Sequence, residues 1–499
     1  MFDSMITAVL YLIGDGYNIF YLMIGVMVGI MFSIVPGLGG AAAIALLLPL
    51  TFGMEPEQAI ILMGGVMGAV SAGGAVTSIL LNTPGTAPNA ATCFDGYPMA
   101  QQGKAGLAIG AAAGASTIGG VFGLAVLVAI LPVAKAIVLW FGPPAFFMMA
   151  VLGLTALTAA GGDMLRGLIA GCAGLFLGFI GYDDIGGSER YTFGIDYLWD
   201  GMSLVPALIG LFAISEMLTL YVTNESAAKA KDGIDENITG IWDGVVESFK
   251  EWKLVMYSSA IGTVMGAIPG VGGTVGSFMA YTFAATTCKN NENFGKGDIR
   301  GVIAPEASNN AKDGGSLIPT LAFGMPGGAE MAIFLGVLIL HGLNPGPMLL
   351  IEREWTIFTL IIAILIATVL SNVIVLMSTR YIIKVAKINI TVLVPSIMVI
   401  AFVAAFTIRN SVGDTFVTAI FGILGYLMRK FDYPRITVVI ALVLAELMEK
   451  NYTQSMLMFG GDGMGFFRDK TTLIIFLICM AALSLRFFQI IRARKRVSV

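Results

Sequence analysis

Charge is scarce in this sequence: only 12% of its 499 residues are charged and 57% are hydrophobic, where a soluble domain carries about 25% charge. Mean hydropathy is +0.87. A water-soluble core is therefore excluded, and an all-α polytopic membrane protein is expected, since apolar runs of about 20 residues cross lipid as helices. Histidine is scarcer still. The single His341, at the end of an apolar stretch, excludes a multi-histidine metal site, argues against haem or zinc chemistry, and reads as an interfacial residue. Cys93, Cys172, Cys288 and Cys479 lie far apart without paired metal spacing and read as packing residues. A net charge of -4 leaves no basic footprint for nucleic acid. There is no G-x-x-x-x-G-K-[ST] phosphate loop and no G-x-S-x-G elbow. Neither Asp462 after Gly460-Gly461 nor Asp15 within Gly14-Asp15-Gly16 forms an intramembrane protease signature. An enzyme is not expected, nor any cofactor beyond Na⁺ as a candidate coupling ion. The start, Met1-Phe2-Asp3-Ser4, lacks a basic region and a cleavage pattern, so the first helix is expected to stay as an anchor.

Long apolar runs are what the chain has in abundance. Residues 107–131, 143–160, 201–222, 355–379, 391–408, 412–428 and 471–490 each read as a span, within about ten to twelve crossings in all. Several apolar stretches are interrupted. The run 59–81 ends at Asn82-Thr83-Pro84-Gly85-Thr86-Ala87-Pro88, and a second interruption stands at Gly324-Met325-Pro326-Gly327-Gly328. Proline lacks the amide donor and glycine tolerates open backbone, so helices stop there. Backbone freed at membrane depth persists only inside protein or beside a watery cavity.

The interruptions recur in order. Pro36-Gly37-Leu38-Gly39-Gly40 is answered by Pro269-Gly270-Val271-Gly272-Gly273, and Gly73-Gly74 by Gly314-Gly315, each glycine pair followed by Pro84-Gly85 or Pro326-Gly327. A duplicated core follows. Residues 1–105 form its first repeat, with 41–53 as a re-entrant arm and a polar loop through Asp95-Gly96-Tyr97-Pro98; 106–222 are scaffold helices; 223–253 are a cytoplasmic linker. Residues 254–350 form the second repeat, and 351–499 give further scaffold helices and a basic cytoplasmic tail. The tail Arg492–Arg496, the loop Arg429-Lys430 to Arg435, and Arg380, Lys384 and Lys387 are separated by two helices each, so all three are placed in the cytoplasm. The two repeats then have inverted topology, although Arg409 sits on the wrong side.

Half-helices with freed amides suit an anion, because each helix N-terminus carries about half a positive charge. Few cations stand near the interruptions; Lys104 and Lys312 are the nearest. Substrate contacts are assigned to Asn82, Thr83, Pro84, Gly85 and Thr86, to Ser308, Asn309 and Asn310, and to Met325, Pro326, Gly327 and Gly328. Carbonyls at Gly37, Gly39, Gly40, Gly270, Gly272 and Gly273 are candidate Na⁺ ligands, as in broken-helix transporters. Glu306 and Asp313 read either as intramembrane ion or proton ligands or as members of a cytoplasmic loop. Asn82→Ala or Gly327→Leu is expected to abolish uptake without preventing membrane insertion. The rival class is a passive anion channel or a non-transporting scaffold subunit; a channel wants a continuous polar lining, whereas polar residues here concentrate at two interruptions.

With Leu81-Asn82-Thr83-Pro84-Gly85-Thr86, Asp95-Gly96-Tyr97-Pro98, Gly103-Lys104-Ala105, Ile268-Pro269-Gly270, Ala304-Pro305-Glu306, Asn309-Asn310-Ala311 and Gly324-Met325-Pro326-Gly327, beside Pro36–Gly40, residues 20–430 resemble the large membrane subunit of the tripartite tricarboxylate transporters. The resemblance implies Na⁺- or H⁺-driven uptake of a citrate-like carboxylate across the bacterial inner membrane. It also implies a small four-helix membrane subunit, a periplasmic solute-binding protein that delivers substrate, and an elevator motion of the core. The loop Tyr182–Asp200 is then a candidate dock for the binding protein, or a solvated loop with interfacial aromatics.

Overall fold

The computed structural model describes residues 1–35, 38–160, 164–182, 187–223, 239–385 and 390–497. Among them, seven helices are long and apolar enough to cross a membrane: Gly16–Ile34, Pro56–Leu81, Ala105–Val138, Leu204–Thr223, Glu354–Thr379, Thr391–Arg409 and Val412–Lys430. The expected spans at 143–160 and 471–490 fall on the apolar helices Pro143–Ala160 and Lys470–Val497. Boundaries have local causes. Asp15 accepts a hydrogen bond from the Tyr17 amide at 2.9 Å, which caps Gly16–Ile34 and separates it from Phe2–Gly14.

Two central helices, Pro56–Leu81 and Arg300–Phe323, lead into the two interruptions. The first ends at Asn82 and the second at Gly324, both left-handed. Each is clasped by helices whose glycines bring backbone onto backbone. A Cβ on Gly25 of Gly16–Ile34 would lie 2.2 Å from the Leu62 carbonyl, and one on Gly68 would lie 2.6 Å from the Ile364 carbonyl. A Cβ on Gly262 of Trp252–Ala267 would lie 2.2 Å from the Ser308 carbonyl, and one on Gly119 of Ala105–Val138 would lie 2.2 Å from the Ala307 carbonyl. Small residues permit this approach in lipid, where dispersion replaces the hydrophobic drive.

The packing is reciprocal. Ala105–Val138, which follows the first interruption, packs on Arg300–Phe323, whereas Glu354–Val385, which follows the second, packs on Pro56–Leu81. Likewise Leu204–Thr223 packs on Val412–Lys430, and Arg435–Met458 packs on Met164–Gly178.

Three expectations are corrected. Asp95–Pro98 is not a polar loop but part of the helix Cys93–Gln101, in which the buried Asp95 accepts hydrogen bonds from the Tyr281 hydroxyl (2.8 Å) and the Gly297 and Asp298 amides (2.8 and 2.9 Å). Its carboxylate is a cap for the facing chain. Glu306 and Asp313 lie in no loop; both are buried in the helix Arg300–Phe323. Of the expected linker, 224–238 lie outside the described residues, while Ile241–Lys250 is an amphipathic helix whose Gly244 packs on the Leu107 carbonyl of Ala105–Val138.

Candidate functional site

The helix that follows each glycine-rich turn begins with the same conformation. Gly39 (φ +61°) opens Gly39–Leu47 and Gly272 (φ +69°) opens Gly272–Thr287, a left-handed geometry that L side chains rarely adopt. A third helix, Ala329–Leu340, starts directly after Gly328. None of the three has a side-chain cap. Their first amides therefore have no side-chain acceptor, and the one acid in a first turn among the three helices is Glu330 of Ala329–Leu340, which the Lys312 ammonium meets.

All three ends open into one cavity of about 810 Å³. The first three residues of each helix line it: Gly39, Gly40 and Ala41; Gly272, Gly273 and Thr274; Ala329, Glu330 and Met331. Thr83, Pro84, Gly85 and Thr86 from the first interruption complete this wall, with Gly270 and Gly328. The opposite wall comes from Leu204–Thr223 through Glu216, Thr219 and Thr223, from the end of Val412–Lys430 through Arg429, and from the start of Arg435–Met458 through Arg435. Exposed Thr223 and Arg429 mark the mouth.

Charges inside the cavity are paired. The Lys312 ammonium donates to Asp313 at 2.6 Å and to Glu330 at 3.3 Å. Arg435 donates to Glu216 and to the Ser215 hydroxyl, each at 2.6 Å, and Arg429 also donates to Glu216. Glycine makes room for these side chains. A Cβ on Gly273 would lie 2.0 Å from Lys312 Cδ, and one on Gly40 would lie 2.5 Å from Glu330 Oε1. At Gly85 the obstacle is backbone, since a Cβ would lie 1.8 Å from the Ser33 carbonyl oxygen.

The sequence-derived residues divide accordingly. Thr83–Thr86, Gly328, Gly39, Gly40, Gly270, Gly272 and Gly273 line the cavity, and Asp313 sits behind Lys312. Gly37 lies outside the described residues. Asn82 is an exposed helix end beside the cavity, and Met325, Pro326 and Gly327 are buried behind it. A Cβ on Gly327 would lie 2.6 Å from the Gly266 carbonyl, so Gly327→Leu tests packing before it tests substrate contact. Ser308, Asn309 and Asn310 are buried within Arg300–Phe323, outside the lining. Lys104 is exposed and distant from the lining, whereas Lys312 belongs to it. Glu216, Arg429 and Arg435 were not anticipated; the two arginines read as cytoplasmic-loop charges.

Elsewhere, Asp183 and Asp184 of the loop 182–200 lie outside the described residues, and Tyr197 is tied down. Its hydroxyl donates to Asp414 at 2.6 Å beside Arg409; burial, then that hydrogen bond, push its pKa up. Arg409, which resisted the charge-based topology, is thus held by a fully buried carboxylate. His341 meets the Thr51 hydroxyl at 3.0 Å.

Comparison with known proteins gives the family. A family model described as "Tripartite tricarboxylate transporter TctA family" matches residues 19–440. An uncharacterized 52.8 kDa protein in the TAR-I ttuC' 3' region of Agrobacterium vitis is 30% identical over 479 residues, covering 96% of this chain and 95% of that one. An uncharacterized protein in the TAR-II ttuC' 3' region of the same organism is 30% identical over 205 residues, covering 41% of this chain and 85% of its own. No solved structure matches. The chain is a multi-pass membrane protein and belongs to the tripartite tricarboxylate transporter TctA family.

Proposed function

We propose that the cavity binds a di- or tricarboxylate and that the protein carries it across the bacterial inner membrane by cation symport. The observation that supports this most is the convergence of three uncapped helix N-termini on one hollow. Three such ends supply on the order of one and a half positive charges, enough to offset one or two carboxylates without a dedicated arginine. Lys312, Arg429 and Arg435 add full charges at the same surface, where a substrate carboxylate joins their present pairs as a further charge-assisted acceptor. A volume of about 810 Å³ lies in the range of small-molecule sites.

The reciprocal packing favours two repeats related by a pseudo-two-fold axis, because such an axis exchanges equivalent elements between halves. Ion pairs follow the same exchange. Arg435 before one late helix pairs with Glu216 on Leu204–Thr223, while Arg190, before Leu204, pairs with Glu449 on Arg435–Met458. On the charge-based orientation the mouth at Thr223 and Arg429 faces the cytoplasm, an inward-open state. Motion of the glycine-rich wall against the Leu204–Thr223 wall would carry the site as an elevator. Family membership supports a small four-helix membrane subunit and a periplasmic solute-binding protein as partners.

Liposomes holding the reconstituted three-component complex test this reading. Radiolabelled citrate, or another di- or tricarboxylate, is expected to accumulate only with an inward Na⁺ or H⁺ gradient and only with the binding protein present. Uptake that ignores both would make the protein a passive channel.

A further inference from the structure

Behind the cavity, Arg300–Phe323 carries polar side chains that the carboxylate site does not use. Glu306 is fully buried. Its Oε1 accepts from the Asn89 amide at 2.9 Å and from the Thr92 hydroxyl, both from the segment after the first interruption. Among the described residues its Oε2 has no hydrogen-bond partner and no lysine or arginine pairs with it. Asn309 is 1% exposed with both amide atoms unpartnered, and Asn310 is 3% exposed with its Oδ1 unpartnered. Positions i, i+3, i+4 and i+7 share a helix face. Glu306, Asn309, Asn310 and Asp313 therefore form one stripe, which ends at the Lys312–Asp313 pair on the cavity wall.

An unpaired carboxylate is not tolerated in a dry seam; it must be neutralised by a proton or a bound cation. A proton on Oε2 can be donated to only one of the two amide carbonyl oxygens and leaves the other unsatisfied. One small cation satisfies all three oxygens together. Hard cations take oxygen ligands, and a single carboxylate balances a single positive charge.

We propose that Glu306 Oε2, Asn309 Oδ1 and Asn310 Oδ1 bind one monovalent cation, Na⁺, in the seam between Arg300–Phe323 and the segment after the first interruption. The site bridges the two repeats one to two helical turns from the carboxylate cavity. Occupancy fastens Asn89 and Thr92 to Glu306, and so fixes the wall built from Thr83–Thr86. The proposal deepens the symport reading and rests on it only for the ion's role in uptake.

The test is the melting temperature of the purified full-length protein, titrated with NaCl at constant ionic strength against choline chloride. Wild type is expected to rise with Na⁺, and KCl to give little effect. Glu306→Gln is expected to lose the rise, and Asn309→Ala and Asn310→Ala to raise the half-saturating Na⁺ concentration about tenfold or more. Should Glu306→Gln not fold, the two asparagine variants decide the matter. Absence of a Na⁺-specific rise in wild type, or wild-type responses in the variants, overturns the site. If Na⁺ binds as described while carboxylate uptake ignores a Na⁺ gradient, the cation site stands and the Na⁺-symport reading falls.

Discussion

Replacing Lys312 by Met is expected to abolish carboxylate uptake and to lower the melting temperature of the purified protein. Lys312 is 8% exposed and Asp313 4%, so the substitution leaves a carboxylate buried without its counter-ion, a loss of about 3–5 kcal/mol. Glu330 is half-buried at the cavity and keeps some water. The double variant Lys312→Met/Asp313→Asn removes both buried charges and should recover much of the stability, since a neutral pair carries no such penalty. Uptake should remain lost in both, because the cavity has lost its most buried cation. Lys312→Arg should not rescue transport either, as the lysine stem fills the space over Gly273 that a Cβ would take and a planar guanidinium needs more room. Thermal melts and radiolabelled uptake on the three variants check this together; normal uptake by Lys312→Met would remove Lys312 from the substrate site.

Gly40→Ala should leave insertion and melting nearly unchanged and reduce uptake about tenfold to a hundredfold, whereas Gly273→Ala should reduce uptake and lower melting together. The Cβ on Gly40 meets Glu330 Oε1, the end of a flexible side chain, while the Cβ on Gly273 meets the middle of the Lys312 stem and displaces its ammonium from buried Asp313. Gly262→Ala is the contrast. Its Cβ would meet the Ser308 carbonyl at 2.2 Å, so two helix backbones must separate, and overpacking of this kind costs about 1–3 kcal/mol or more. The stability ranking Gly40→Ala above Gly262→Ala, with both defective in uptake, separates site geometry from helix packing. Equal melting temperatures would show that the helix contact yields more easily than this account allows.

The interruptions themselves were legible in the sequence, because Pro and Gly within apolar runs leave few alternatives for the backbone. Thr83–Thr86, Gly39, Gly40, Gly270, Gly272 and Gly273 were named from that pattern, and all line the cavity. Two kinds of information were not in the pattern. Arg429 and Arg435 read as cytoplasmic-loop cations because positive charge near a span end usually marks topology; that Arg435 reaches Glu216 depends on a helix more than 200 residues earlier in the chain. The run Ser308-Asn309-Asn310 was assigned to substrate contact, yet it is held inside a helix by neighbours whose glycines permit close contact. Polarity singled these residues out but did not show on which side of the wall they stand.

The central claim is that free amides at three helix starts hold the carboxylate, and thiol protection tests it most directly. In a background lacking Cys93, Cys172, Cys288 and Cys479, single cysteines replace Ala41, Thr274 or Lys104, and a hydrophilic maleimide reports their accessibility. A saturating concentration of a carboxylate that the wild-type complex transports is expected to slow labelling about tenfold at Ala41→Cys and Thr274→Cys, and to leave Lys104→Cys unchanged. Equal labelling with and without that carboxylate at both cavity positions would contradict the claim.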